Sequence, residues 1–287
     1  MTFEELIIAP FLKFSFMQRA LAACIALSAS GAPLGFFMNQ RRMSLVSDAM
    51  SHAILPGVAV AFCIAGAGTL PLAIGGLSAG AIIALFAVFL TRYAHIKEDA
   101  VFTLMFLLSL TSGTVLLSFK GTGIDLMHML FGDVLAIDDS ALCFIASVAS
   151  LTLVAIAATY RGLLLDCFDP DFLALSGRGR YVRHLFFVLF VINLVAAFQV
   201  LGTLMALGLM LLPAIAAGFW TKRADAAILF GVAMAVFSSF AGLLISFHAE
   251  LPSGVTVVLF CSVLCLISVL LGRRGSLLSV FLKEGKS

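Results

Sequence analysis

Apolar residues run along this chain in long continuous blocks, separated by short stretches that hold nearly all of the charge. The blocks cover residues 15–38, 46–66, 70–91, 100–119, 140–160, 185–220, 226–248 and 254–272. Most are about 20 residues long, the length a helix needs to cross a hydrocarbon core of roughly 30 Å. They do not alternate with period two, so the pattern predicts transmembrane helices and not a β-barrel. The block 185–220 is too long for one crossing, because 36 residues at about 1.5 Å each would reach some 54 Å. Gly202, Gly208 and Pro213 punctuate it, which predicts a pair of helices or one broken helix. The expected fold class is all-α, a polytopic transmembrane helical bundle of eight or nine spans. Residues 1–14 are expected to form an interfacial segment, 15–272 the membrane domain with a cytoplasmic loop at 161–184, and 273–287 a cytoplasmic tail.

Composition agrees with this pattern. Of 287 residues 62% are hydrophobic and 11% charged, against about 25% charged in ordinary soluble domains. A mean hydropathy of +1.18 excludes a soluble surface. Membrane lipid is the expected surrounding, and no nucleic-acid partner is expected. Glu4 and Glu5 stand where a cleaved signal peptide needs positive charge, so none is expected. Five of the six cysteines lie in apolar blocks and none forms a CxxC pair. They read as small apolar packing residues rather than disulfides or metal ligands.

The distribution of Lys and Arg orients the chain. With the loops around Arg41/Arg42, Arg92/Lys97, Arg161–Arg183 and Lys222/Arg223 and the tail from Arg273 in the cytoplasm, fourteen of the 17 basic residues lie inside. Only Lys13, Arg19 and Lys120 do not. This is the positive-inside pattern of a multi-pass protein of the bacterial inner membrane. It requires block 185–220 to go out and come back.

Asp48 is the one acidic residue inside a block, and His52 follows four residues later, on the same helical face. Measured from Arg42, Asp48 lies about 9 Å and His52 about 15 Å into the membrane, near its middle. An ionisable group there costs about 2.5–3.5 kcal/mol or more on insertion scales and normally faces an aqueous path. A carboxylate and an imidazole are ligands for Mn²⁺, Fe²⁺ or Zn²⁺. One chain supplies two such ligands; a two-fold dimer would supply four. Spacing alone leaves other readings open: mutual hydrogen bonding, capping of a helix broken near Pro56 and Gly57, or a proton relay.

Weaker candidates lie elsewhere. His128 and His248, near Asp133 and Glu250, stand at the predicted outer ends of spans and could admit metal. His95 and His184 read as solvated loop residues. In the longest cytoplasmic loop, Asp169 can cap a short helix with Pro170 at its first position, and Gly177 can end it. Such an amphipathic helix suits docking of a soluble partner. No GxxxxGK[ST] phosphate loop and no HExxH occur, so the chain lacks these routes to ATP binding and to metalloprotease chemistry.

Residues 41–57 read RRMSLVSDAMSHAILPG, and this run resembles the signature of the ABC-3 family, the zinc, manganese and iron ABC permeases. The likeness continues through KED at 97–99, DLMHMLFG at 125–132, FDPDFLALSG at 168–177, QVLGTLMALGLMLLPA at 199–214 and LPSG at 251–254. Ser47 departs from it, where the family favours glycine. The resemblance implies a permease like that of a type II ABC importer, moving manganese, zinc or iron inward and holding no permanent cofactor. It implies an ABC ATPase partner, a periplasmic or lipoprotein metal-binding protein, and a homodimer or a pair with a paralogous permease. By the same resemblance Asp48 and His52 stand on the transport path. Asp169, Pro170, Asp171, Phe172, Ala174 and Gly177 belong to the ATPase-contacting segment. The chain is then no enzyme itself. The rival readings are an ABC permease for a larger metal chelate and an ion-coupled secondary transporter.

Overall fold

A computed structural model describes residues 8–66, 68–93, 98–119, 134, 137–175, 177, 179–274 and 276. These form α1 (Ala9–Lys13), α2 (Ser15–Gln40), α3 (Ser44–Ala53), α4 (Leu55–Ala65), α5 (Thr69–Tyr93), α6 (Glu98–Phe119), α7 (Asp139–Phe168), α8 (Pro170–Leu175), α9 (Gly179–Gly218), α10 (Ala224–Ala249) and α11 (Ser253–Leu271). The fold is all-α; the described residues include no strand. Six helical segments are long and apolar enough to cross a membrane, and Leu70–Ile83, Thr103–Leu116 and Leu204–Gly218 are shorter apolar stretches.

The long block behaves as its length demands. Gly202, at φ 74° and ψ 170°, interrupts α9 in a conformation that L side chains rarely adopt. Asn193 and Ala197 before it, and Ala206, Leu209 and Met210 after it, line one small cavity with Leu27 and Gly31 of α2. The two arms therefore lie side by side. Their far ends also share a side: Phe186 lies beneath Arg41 at the end of α2, and the Phe219 carbonyl accepts the Arg274 N–H at 3.0 Å. Gly208 and Pro213 do not break the helix; Gly208 instead leaves room for Val258 of α11.

The central helix is α2, packed on α7, α9 and α10. Its C-terminal half buries Leu34, Phe37 and Met38 in one cluster with Phe186 and Phe190 of α9. In lipid, apolar burial between helices supplies little drive, and close packing through small residues and polar contacts decides association. Small residues sit where this predicts. A Cβ on Gly35 would lie 1.8 Å from the Met210 carbonyl oxygen, so α2 and α9 touch backbone to backbone. Gly57 of α4 and Gly75 of α5 face each other's carbonyls in the same way. Gly76 and Gly80 receive Val195 and Val191 of α9. A buried polar contact adds to this: Asn193 Nδ2 donates to Thr152 Oγ1, joining α9 to α7.

The outer end of α7 is capped by Asp138. Its carboxylate accepts from the Ser140 hydroxyl at 2.7 Å and the Ala141 N–H at 2.9 Å, and these bonds hold it below the ordinary carboxylate range. Asp139 pairs with Arg19 of α2 at 3.2 Å. At the inner end the loop expected at 161–184 is shorter than its charge suggests. Helix α7 continues to Phe168 and α9 begins at Gly179, because Asp166 finds cationic partners and stays in the packed helix.

Candidate metal pathway and coupling segment

The chain leaves α2 through a tight turn at Arg41–Met43. The Met43 N–H bonds the Met38 carbonyl at 3.0 Å, and Arg42 takes a left-handed φ of 57°. Helix α3 follows at once, and its hydrogen-bond ladder is interrupted at Ile54, which keeps helical dihedrals (φ −74°, ψ −29°). The cause lies in the sequence: Pro56 stands four residues after His52, has no N–H, and so removes the donor that the His52 carbonyl would otherwise meet. The helix restarts with Pro56 in its first turn. Residues 46–65 still run as one apolar stretch long enough to cross a membrane, with one gap in the ladder of the kind that proline leaves in membrane helices.

Asp48 and His52 sit on this stretch. The His52 ring packs edge-on against Phe106 of α6, with centroids 4.9 Å apart and planes at 85°. Its side chain is 18% exposed and that of Asp48 56% exposed. Nε2 lies 3.9 Å from Asp48 Oδ1, beyond hydrogen-bond range. Nδ1 is buried and has no hydrogen-bond partner among the described residues. The two side chains therefore share a face without satisfying each other, and Asp48 is mid-helix rather than at a cap. The hydroxyls of Ser47 and Ser51 bond carbonyls of their own helix, at 3.4 and 3.0 Å. Among the described residues no group of three or more His, Cys, Asp or Glu side chains could hold a metal ion. The pair thus offers two ligands and needs more from outside the chain.

Of the expected outer cluster, His248 and Glu250 are among the described residues. His248 lies in the last turn of α10, where its Nδ1–H donates to the Leu244 carbonyl at 2.9 Å, while Glu250 turns the chain at φ 52°. His128 and Asp133 lie outside the described residues.

The coupling segment has the local geometry its sequence predicts. Asp169 Oδ1 accepts the Phe172 N–H at 3.0 Å, and α8 starts at Pro170 and runs through Asp171 and Ala174 to Leu175. Gly177 follows at φ 71°. Leu173 is buried and anchors α8 to the bundle, while Phe172 (58%) and Leu175 (88%) are exposed.

One cluster escaped the sequence reading. Asp166, in the last turn of α7, is 3% exposed; Arg183 Nη2 donates to one carboxylate oxygen at 3.1 Å, and Arg41 Nη2 lies 2.7 Å from the other as an ion pair without hydrogen-bond alignment. The Arg41 guanidinium also lies 4.1 Å over the Phe186 ring. The hint was an acid directly after Leu163, Leu164 and Leu165, which must find a cation.

These features are those of a multi-pass membrane permease: a bundle of long apolar helices, with a carboxylate–imidazole pair on one face of one of them and exposed apolar side chains on the short helix between α7 and α9. The chain belongs to the ABC 3 transport family, which matches residues 13–272. It is 32% identical over 255 residues to the manganese transport system membrane protein MntC of Halalkalibacterium halodurans, covering 88% of this chain and 86% of that one. It is 30% identical over 256 residues to the chelated iron transport system membrane protein YfeD of Yersinia pestis, covering 89% and 84%. Its structure superposes on that of PsaBC from Streptococcus pneumoniae, solved in complex with Fab, with a TM-score of 0.86 at 28% identity, covering 95% and 98% of the two chains.

Proposed function

We propose that this chain forms the membrane pathway of an ATP-driven importer that carries bare divalent first-row metal ions (manganese, iron or zinc) across the bacterial inner membrane, with Asp48 and His52 as the passing ion's ligands. One observation carries the reading: on a stretch long and apolar enough to cross a membrane, a half-exposed carboxylate and an imidazole whose Nδ1 has no partner among the described residues share one helical face. Oxygen and imidazole nitrogen donors suit all three ions, and the relatives named for manganese and iron transport fit that donor set. A second permease chain would complete four ligands. Such a site holds an ion weakly enough to release it, which conduction requires.

The energy source lies on a partner. In this reading α8 docks on an ABC ATPase through Phe172 and Leu175, and an external metal-binding protein delivers the ion. Membership in an ABC family argues against the ion-coupled secondary transporter. Chelate transport, named for the Yersinia relative, is the second reading. Expression with the ATPase and binding protein in metal-starved cells, followed by elemental analysis, tests the proposal. ATP-dependent gain of Mn, Fe or Zn without added chelator supports bare-ion import; gain only with chelator supports the second reading.

The docking role has its own test. Replacing both Phe172 and Leu175 with Asp removes the exposed apolar contact and leaves the anchor Leu173 in place. The ATPase co-purifying with the permease is expected to fall about tenfold or more, at unchanged permease level. Undiminished co-purification would remove α8 as the docking helix.

A further inference from the structure

Asp166 stands where three segments converge. It is four residues before Pro170, so it lies at the root of α8, and the Asp169 N–H bonds the Leu165 carbonyl at 2.8 Å, fastening the cap of α8 to the same turn of α7. Arg183 is in the first turns of α9, on the other flank of the segment. Arg41 ends α2 and begins the turn that becomes α3. One buried carboxylate therefore ties both roots of α8 to the residue that introduces the Asp48/His52 helix.

The tie is stiff on the side of the metal pair. Arg41, Arg42 and Met43 are closed by three backbone hydrogen bonds, to Phe37, Asn39 and Met38, at 3.2, 3.0 and 3.0 Å. The Ser47 N–H then bonds the Met43 carbonyl at 3.3 Å, so no slack separates Arg41 from the first turn of α3. The Arg41 side chain is 8% exposed and that of Asp166 3%, so water has little room to take over the contact. Arg183, at 53%, is the partner that solvent reaches. Arg41 Nε and Nη2 are both buried without an aligned hydrogen bond among the described residues, so charge attraction at 2.7 Å rather than hydrogen-bond geometry holds Arg41 to Asp166.

We propose that Arg41 and Asp166 are positioning residues that transmit movement of α8 to the α2–α3 turn, and through it to Asp48 and His52. The proposal rests on the reading of α8 as the ATPase-docking helix. When the docked ATPase displaces α8, the last turn of α7 moves with it, and the carboxylate carries the Arg41 turn along. The ligand pair on α3 then changes its exposure in step with ATP turnover. Neither residue touches the ion. Removing the tie uncouples hydrolysis from transport and leaves hydrolysis itself in place.

The test uses the full complex of permease, ATPase and binding protein in proteoliposomes supplied with Mn²⁺, and reads the metal imported per ATP hydrolysed. Arg41→Gln and Asp166→Asn are each expected to lower that ratio by about tenfold, with ATPase co-purification and hydrolysis retained. The double variant is expected to be no worse than either single one, and Asp166→Glu to restore part of the ratio. An unchanged ratio, or losses that multiply in the double variant, overturns the proposal. If a variant does not assemble, the wild-type complex decides by hydrogen exchange. Amides 39–47 are expected to change protection between nucleotide-free and ATP-analogue states; identical exchange overturns the proposal. Loss of α8 docking in the Phe172/Leu175 test would instead strike the underlying reading.

Discussion

Asp48→Ala and His52→Ala are each expected to lower metal import by about 100-fold or more, at unchanged membrane level. Ligand loss sets the scale: changing groups that merely orient ligands already costs 10–100-fold. What distinguishes this from unfolding is the sign of the stability change. On the proposed reading Asp48 stands inside the membrane, where a carboxylate costs about 2.5–3.5 kcal/mol on insertion scales, and it receives no hydrogen bond from His52 at 3.9 Å in return. Removing it should leave the thermal stability of the purified chain equal or higher while transport is lost. Such an exchange of stability for function marks a working residue. Lower stability together with lost transport would instead make Asp48 a structural group. Asp48→Glu keeps the donor type but lengthens the side chain, and is expected to retain part of the import.

The largest expected effect on stability lies at Gly35. Its absent side chain lets α2 meet α9 at the Met210 backbone, and a Cβ there would stand 1.8 Å from a carbonyl oxygen and 2.6 Å from its carbon. No rotamer change relieves a clash with backbone, so the helices must separate. Inserting one methyl into a packed core costs about 1–3 kcal/mol where side chains can yield, and Gly35→Ala belongs at or above the top of that range. Gly231→Ala is the matched control, because its nearest contact is the Pro213 carbonyl oxygen at 3.5 Å, an ordinary separation. Unfolding in detergent, followed by size-exclusion chromatography after heating, should show Gly35→Ala failing well below wild type and Gly231→Ala close to it. Equal behaviour of the two would mean that the α2–α9 contact is not the tight one described.

Much of the fold is written in the apolar pattern, because lipid forces every crossing to be a long apolar run. Block 15–38 became α2 at Ser15–Gln40, and block 226–248 became α10 at Ala224–Ala249. The reversal inside α9 was legible as excess length combined with the charge rule. Which of Gly202, Gly208 and Pro213 made the turn was not, since that depends on what each meets: Gly208 is filled by Val258, and Gly202 alone takes a positive φ. That helix α7 runs on through Arg161 to Phe168 was not legible for a related reason. Charge at Arg161 and Asp166 looks like loop until Arg41 and Arg183, distant in sequence, are placed beside it. The Asp48/His52 pair was visible from spacing alone, whereas its lack of mutual hydrogen bonding and the packing of His52 on Phe106 needed three dimensions.

Reconstituted uptake tests the central claim most directly. Proteoliposomes carrying this chain with its ATPase and binding protein would be given Mn²⁺, Fe²⁺ or Zn²⁺ without chelator, and the luminal metal measured with ATP and with a non-hydrolysable analogue. The account predicts ATP-dependent accumulation of at least one bare ion by the wild-type complex and none above background by the Asp48→Ala complex. An active, assembled complex that accumulates no bare ion, or an Asp48→Ala complex that imports as well as wild type, would contradict it.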